Sequence, residues 1–142
     1  MPADLEALGR AVKQVQYRHH RALDTRLAAA GTTLAQWDAL RAISRNPGAS
    51  AHTLALETFQ SDQSFGTLAN RLAAQNLITR RSGRGRRIEH SLTPAGKKVL
   101  RAGRPIAASV FAASFAELTE KERSTLLDLL HRIVGGRGLE TL

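Results

Sequence analysis

The apolar positions of this chain leave helical spacing at about residue 77 and return to it at about residue 93, and that interruption organises the reading. From residue 4 to about 30, Leu5, Leu8, Val12, Val15, Ala22 and Leu23 recur at helical spacing and predict a long helix closed by Gly31. Thr33-Leu34-Ala35-Gln36 has the form of a capping box and opens a second helix through Leu40 and Ile43. Pro47-Gly48 ends it, and Ser50 caps a short helix at 51–58. Ser61 caps another that reaches about Gln75, with Phe65, Leu68, Ala69 and Leu72 on its inner face. After Asn76 alternation replaces the helical period. Leu77-Ile78 and the set Ile88, His90 and Leu92 flank an arginine-rich stretch and predict a two-stranded hairpin with Gly83 and Gly85 in its loop. His90 is expected to face inward. Thr93-Pro94 starts a helix to about Leu118, with a bend or break expected at Gly103 and Pro105. Thr119-Glu120-Lys121-Glu122 is a second capping box, opening a last helix to Val134, and "GGRGLETL" reads as a loose end.

The predicted order is helix, helix, short helix, helix, hairpin, helix, helix. Two consecutive helices joined by a short turn and followed by a basic hairpin make a winged helix-turn-helix, with the hairpin as its wing. The expected fold class is therefore mainly α with a small β-hairpin, a winged helix-turn-helix core plus terminal dimerisation helices. Residues 1–142 form one domain, with the lobe at about 33–93 and the terminal helices at about 4–30 and 94–135. In the last helix Leu126, Leu127, Leu129, Leu130, Ile133 and Val134 give an apolar face too broad for a helix that meets only water.

Charge adds the partner. The formal net charge is +9, carried mostly by arginine, and five arginines fall within the eight positions Arg80–Arg87. A chain this basic points to a polyanion, and arginine pairs phosphates and guanine edges bidentately, which lysine cannot do. At the tip of a wing such residues would meet a DNA minor groove. The basic cluster lies on a hairpin and not along an amphipathic helix, so a membrane surface is not the expected partner. No apolar run approaches a membrane span and nothing resembles a signal peptide, so a cytoplasmic location is expected.

Other chemistries find little support. The sequence has no cysteine, which excludes a disulfide framework, a thiolate metal site and a thiol-based peroxide sensor. His19 and His20 are adjacent and point about 100° apart on a helix; His52, His90 and His131 are scattered, so no metal and no cofactor is expected. No nucleophile, base and acid fall on recognisable elements, and no phosphate-cradling loop follows a strand. An enzyme is not expected.

Three stretches carry a family resemblance: "LAQWDALRAISRNPGAS", "TLALETFQSDQSFGTLANRLAAQNLITR" and "HSLTPAGKKVL". Together they resemble the MarR (multiple antibiotic resistance regulator) family of winged helix-turn-helix transcription factors, over essentially the whole chain. The resemblance implies DNA contact by a recognition helix and a wing. In the recognition helix the matching positions are Ser61, Asp62, Gln63, Ser64, Thr67 and Arg71. Gln63 has the groups to bond adenine bidentately, Asp62 to accept from cytosine, and Arg71 to reach phosphate. In the wing they are Arg80, Arg81, Arg84, Arg86 and Arg87, with Arg86, or Arg87 after a one-residue slip, at the family's wing-tip arginine. The chain departs from the pattern in three places. "SGRGRR" lacks the acid that holds that arginine, "TFQS" lacks the common turn glycine, and Thr67 stands where many members have arginine.

The resemblance also implies a homodimer that binds double-stranded DNA at a pseudo-palindromic operator, most often as a repressor. It implies a small-molecule effector site between the dimer helices and the lobe, for which Tyr17, Arg18, His19 and Trp37 are the candidate lining. Trp37 is otherwise expected in the core. The competing reading is a sequence-indifferent architectural DNA-binding protein, which the net charge and the short polar side chains of the recognition helix also suit.

Overall fold

A computed structural model describes residues 1–85 and 87–142. Among them six helices and one hairpin follow in the order α1 (Leu5–Leu27), α2 (Leu34–Arg45), α3 (Ala51–Glu57), α4 (Asp62–Ala74), β1 (Ile78–Ser82), β2 (Ile88–Leu92), α5 (Pro94–Ser114) and α6 (Glu120–Gly135). Single 3-10 turns follow α1, α5 and α6, the last at Leu139–Thr141 within the segment expected to be loose. Every helix opens on a side chain that accepts from its first turn: Asp4, Thr33, Ser50, Ser61, Thr93 and Thr119. Each such cap contributes about 1 kcal/mol and fixes where the helix begins.

The core lies where α2, α3 and α4 meet the hairpin and the adjoining halves of α1 and α5. Leu27, Leu40, Ile43, Leu54, Phe65 and Leu72 are fully buried, and Leu23, Trp37, Ile78, Leu100 and Ala107 belong to the same cluster. The strands pair antiparallel, Ile78 opposite Leu92 and Arg80 opposite His90. The second edge of β2 is occupied as well. Gly48 N–H donates to the His90 carbonyl (3.2 Å) and His90 N–H to the Ala49 carbonyl (3.3 Å), so the Pro47-Gly48 turn runs beside β2 as a short third partner.

Two glycines are fixed by close approach. A Cβ at Gly96 would lie 2.0 Å from the Leu77 carbonyl oxygen, so only glycine lets the first turn of α5 press on the link between α4 and β1. A Cβ at Gly103 would lie 2.3 Å from Trp37 Nε1, and the indole N–H donates to the Leu100 carbonyl (3.2 Å).

That packing corrects one expectation. Gly103 and Pro105 do not break α5, which runs as one helix from Pro94 to Ser114 before a 3-10 turn at Phe115–Glu117. Gly and Pro inside a helix cost about 1 and 3 kcal/mol. Here the glycine admits a buried tryptophan, while the exposed proline lies about 200° round the helix from it. A second correction concerns the first capping box. Thr33 accepts from Gln36 N–H as expected, yet the Gln36 side chain accepts from Thr32 Oγ1 (3.4 Å) rather than reaching back to Thr33 N–H. Only the Thr119–Glu122 box is reciprocal.

The terminal helices differ from the lobe. Only Leu23 and Leu27 of α1 are buried, whereas Leu5, Leu8, Val12 and Val15 are about half exposed or more. On α6 no residue is buried; Leu126 is half-buried, and Leu127, Leu129, Leu130, Ile133 and Val134 are exposed.

Candidate nucleic-acid interface

Helix α4 presents two faces. Phe65, Leu68, Ala69 and Leu72 are buried, anchoring it in the lobe. Ser61, Asp62, Gln63, Ser64, Thr67 and Arg71 are all exposed, so the structure brings the whole predicted recognition set onto the outer side of one helix. Ser61 is the cap, accepting from Ser64 N–H (3.1 Å), and Thr67 Oγ1 donates to the Gln63 carbonyl (3.2 Å). The start of a helix carries unpaired N–H groups and positive potential, a setting that suits a phosphate oxygen. Nothing among the described residues would meet a Cβ at Gly66, so their packing does not demand that glycine.

Asp62 is less available than its position implies. Both carboxylate oxygens lie within hydrogen-bond distance of His52 Nδ1, at 3.0 and 3.1 Å, tying α3 to the first residue of α4. His52 is a site residue that sequence reasoning left among the scattered histidines. Its only sequence signal is a spacing of ten residues from Asp62, which acquires meaning only once the helix-turn-helix is folded.

The turn between these helices holds a further surprise. Phe59 has φ +58° and is almost wholly exposed. It takes the left-handed backbone that the common glycine would supply, a conformation that costs a non-glycine residue about 1–2 kcal/mol. Asn76, the predicted stop of α4, adopts the same region with φ +59°, as asparagine tolerates.

The wing arginines separate into different groups. Arg80 Nη1 donates to Asn70 Oδ1 on α4 (2.7 Å), and Arg87 Nη2 donates to the Gly48 carbonyl (3.0 Å). Arg81 and Arg84 are exposed and make no side-chain hydrogen bond or ion pair among the described residues. Arg86 lies outside them. Glu89 takes the position opposite Arg81, and its carboxylate fills the space beside Gly83. His90 is buried, as expected, with its ring edge-on to Phe65 at 6.2 Å.

The candidate effector residues are divided too. A groove of about 510 Å³ between α1 and α5 is lined by Val15, Arg18, His19, Ala22 and Arg26 on one side and Ser109, Val110, Ala113 and Ser114 on the other. His19 Nε2 bonds Ser114 Oγ, and its ring meets the edges of Phe111 and Phe115 at 5.3 and 5.2 Å. Tyr17 sits in a shallower recess beside it with Arg18 and Arg21. Trp37 reaches neither, being sunk against Gly103 in the core. Above it, Arg41 stacks on the indole at 4.9 Å and pairs with Asp38 (3.2 Å). Burial raises the Asp38 carboxyl above its ordinary value, against the pull of Arg41, His20 and Arg45. Among the described residues no three His, Asp or Glu side chains are grouped as a metal site would require, and no helix is long and apolar enough to cross a membrane.

Comparison with known proteins fits this geometry. A family model described as the MarR family matches residues 30–88, from the end of α1 to the first residue of β2. No curated protein matches the sequence at a significant level. Among solved structures, a probable transcriptional regulator from Pseudomonas aeruginosa is 28% identical, with a TM-score of 0.78 over 88% of this chain and 95% of that one. A mutant MarR from E. coli complexed with operator DNA is 20% identical, with a TM-score of 0.83 over 89% and 93%. BpsR of Bordetella bronchiseptica, whose DNA binding is regulated by 6-hydroxynicotinic acid, is 21% identical, with a TM-score of 0.83 over 90% and 98%. The sequence match falls on the winged lobe, and the likeness in fold extends through the terminal helices. The winged lobe of this chain thus matches the MarR family model, and the whole chain has the fold of the MarR family regulators it resembles.

Proposed function

We propose that the protein is a homodimeric, sequence-specific DNA-binding regulator, a repressor that sits on a pseudo-palindromic operator. The observation that carries this reading is the exposure of Gln63, Ser64, Thr67 and Arg71 on the outer side of α4, beside a wing that offers Arg81 and Arg84. The first turn of α4 enters the major groove. There Gln63 reads a base edge, the hydroxyls bond bases or phosphate, and Arg71 holds the backbone. The wing follows the adjacent minor groove. Solved structures with this fold include E. coli MarR with operator DNA and a Mycobacterium tuberculosis family member with DNA, which supports DNA as the partner.

A single lobe covers one half-site. The exposed stripe of Leu5, Leu8, Val12 and Val15 and the apolar face of α6 supply the surface for a second copy. A two-fold pair of lobes reads half-sites about 34–36 Å apart. The groove between α1 and α5, with Arg18, His19 and Arg26, takes a small anionic effector. One Mycobacterium tuberculosis protein of this fold has been solved in complex with salicylic acid and with p-aminosalicylic acid. Such a ligand releases DNA only by preferring the dimer geometry that does not fit the operator.

Selection from a random duplex library at about 150 mM salt tests the reading; at that ionic strength nonspecific phosphate binding is already weakened. An enriched inverted repeat with one-turn spacing supports it. Strong binding without enrichment supports the architectural alternative that the +9 charge also suits. With an operator in hand, Gln63→Ala should relax the preference at one base step by about 1–3 kcal/mol.

A further inference from the structure

We propose that Arg87 and His90 are positioning residues that fasten the wing to the Pro47-Gly48 turn, leaving Arg81 and Arg84, among the described residues, to carry charge to DNA. This rests on the DNA-binding reading for its purpose, though not for its geometry. The sequence supplies no tip acid to hold a wing arginine, and a five-residue strand pair has little stiffness of its own. The structure supplies another fastening at the opposite end of the hairpin loop.

Four polar contacts link four residues of the chain: Gly48, Ala49, Arg87 and His90. Arg87 Nη2 reaches across to the Gly48 carbonyl, whose own N–H donates to the His90 carbonyl. His90 N–H and Nδ1 both point at the Ala49 carbonyl, the ring nitrogen at 2.9 Å. A carbonyl only accepts, so Nδ1 carries the proton and the tautomer is set. The imidazole is 2% exposed, and its other neighbour is the ring of Phe65, the buried anchor of α4. One side chain therefore touches the wing, the turn before α3 and the inner face of the recognition helix. Arg87 closes the same joint from the solvent side. A guanidinium spent on a backbone carbonyl is a strut, whereas Arg81 and Arg84 have no such partner among the described residues. The cluster that reads as uniform charge in the sequence thus holds two jobs.

The test compares Arg87→Ala with Arg84→Ala, read first in the DNA-free protein by amide hydrogen exchange at Gly48 and His90. Loss of the strut should speed exchange at both about ten-fold, the equivalent of one hydrogen bond, while Arg84→Ala leaves them unchanged. On DNA, Arg84→Ala should lower the slope of log affinity against log salt by about 0.9, one phosphate contact. Arg87→Ala should instead remove backbone protection across the whole wing-contacted flank while the α4 contacts persist. Arg87→Lys, which keeps a donor in reach, should restore most of that protection. Unchanged exchange in Arg87→Ala overturns the proposal. So does faster exchange with the flank still protected, or a salt slope and footprint matching those of Arg84→Ala. A wild-type protein that binds no DNA removes the proposed function, and the exchange arm still decides whether the strut exists.

Discussion

In the lobe from α2 to β2, the positions that helical spacing marks as apolar are filled inward: Leu40, Ile43, Leu54, Phe65 and Leu72 have no more than a trace of exposure. In α1 and α6 the same kind of spacing leads outward. Leu8, Val12, Leu127 and Ile133 each keep about half or more of their surface. The two regions obey one rule of amphipathicity and differ in who completes it. The lobe closes its apolar face within a single chain, by stacking three short capped helices on a hairpin. The terminal helices are too long and too few to do so; their stripes stay exposed in the single chain, and the proposed dimer is what would cover them.

Substitutions sharpen that contrast. Phe65→Ala, at the centre of the lobe, should cost about 3–5 kcal/mol in urea or thermal unfolding, because the cavity has nowhere to collapse. Leu130→Glu on α6 should leave the unfolding free energy of the lobe within about 0.5 kcal/mol. In sedimentation it should raise the dimer dissociation constant by at least about 100-fold, since an unpaired carboxylate forced into an apolar interface costs about 3–5 kcal/mol. If Leu130→Glu instead unfolds the lobe, the two regions share one core and the contrast fails. If the dimer survives, its interface lies elsewhere.

Within the lobe, Phe59→Gly should stabilise by about 1 kcal/mol, because glycine takes the left-handed turn without strain. A loss of stability would show that the exposed ring has a partner in the free protein. The smallest effect belongs to α6. Thr119 N–H donates to Glu122 (2.9 Å) and holds that carboxyl below its ordinary range. A group depressed in the folded state stabilises above its unfolded value and loses that contribution as pH falls through the carboxylate range. Acidification from about pH 6 to about pH 3.5 should therefore lower α6 helicity by circular dichroism in the wild type. Glu122→Gln should respond less.

Much of this architecture was legible because its signals are local. A cap acts within three residues, and a change of period from Leu72 to Ile88 is visible without knowing what either residue touches. The resemblance then assigned the face of α4, and the structure groups those six residues as expected. What stayed hidden depends on distant partners. Arg87 is 39 residues from the Gly48 carbonyl it bonds, and nothing in "SGRGRR" distinguishes it from Arg84. His52 meets Asp62, and Asn70 meets Arg80, only after helices and hairpin pack. The expected break in α5 failed for the same reason: a propensity rule at Gly103 and Pro105 gave way to an indole sixty-six positions earlier. Local rules foretold elements well and allegiances between side chains poorly.

Trp37 also sets how a signal travels. With its ring lodged against Gly103 and its N–H on the Leu100 carbonyl, it keys α2 to the middle of α5. Helix α4 shares one core with α2, in which Leu40, Ile43 and Leu72 are fully buried. Were the proposed effector to wedge between α1 and α5, a tilt of α5 would reach the lobe through this joint.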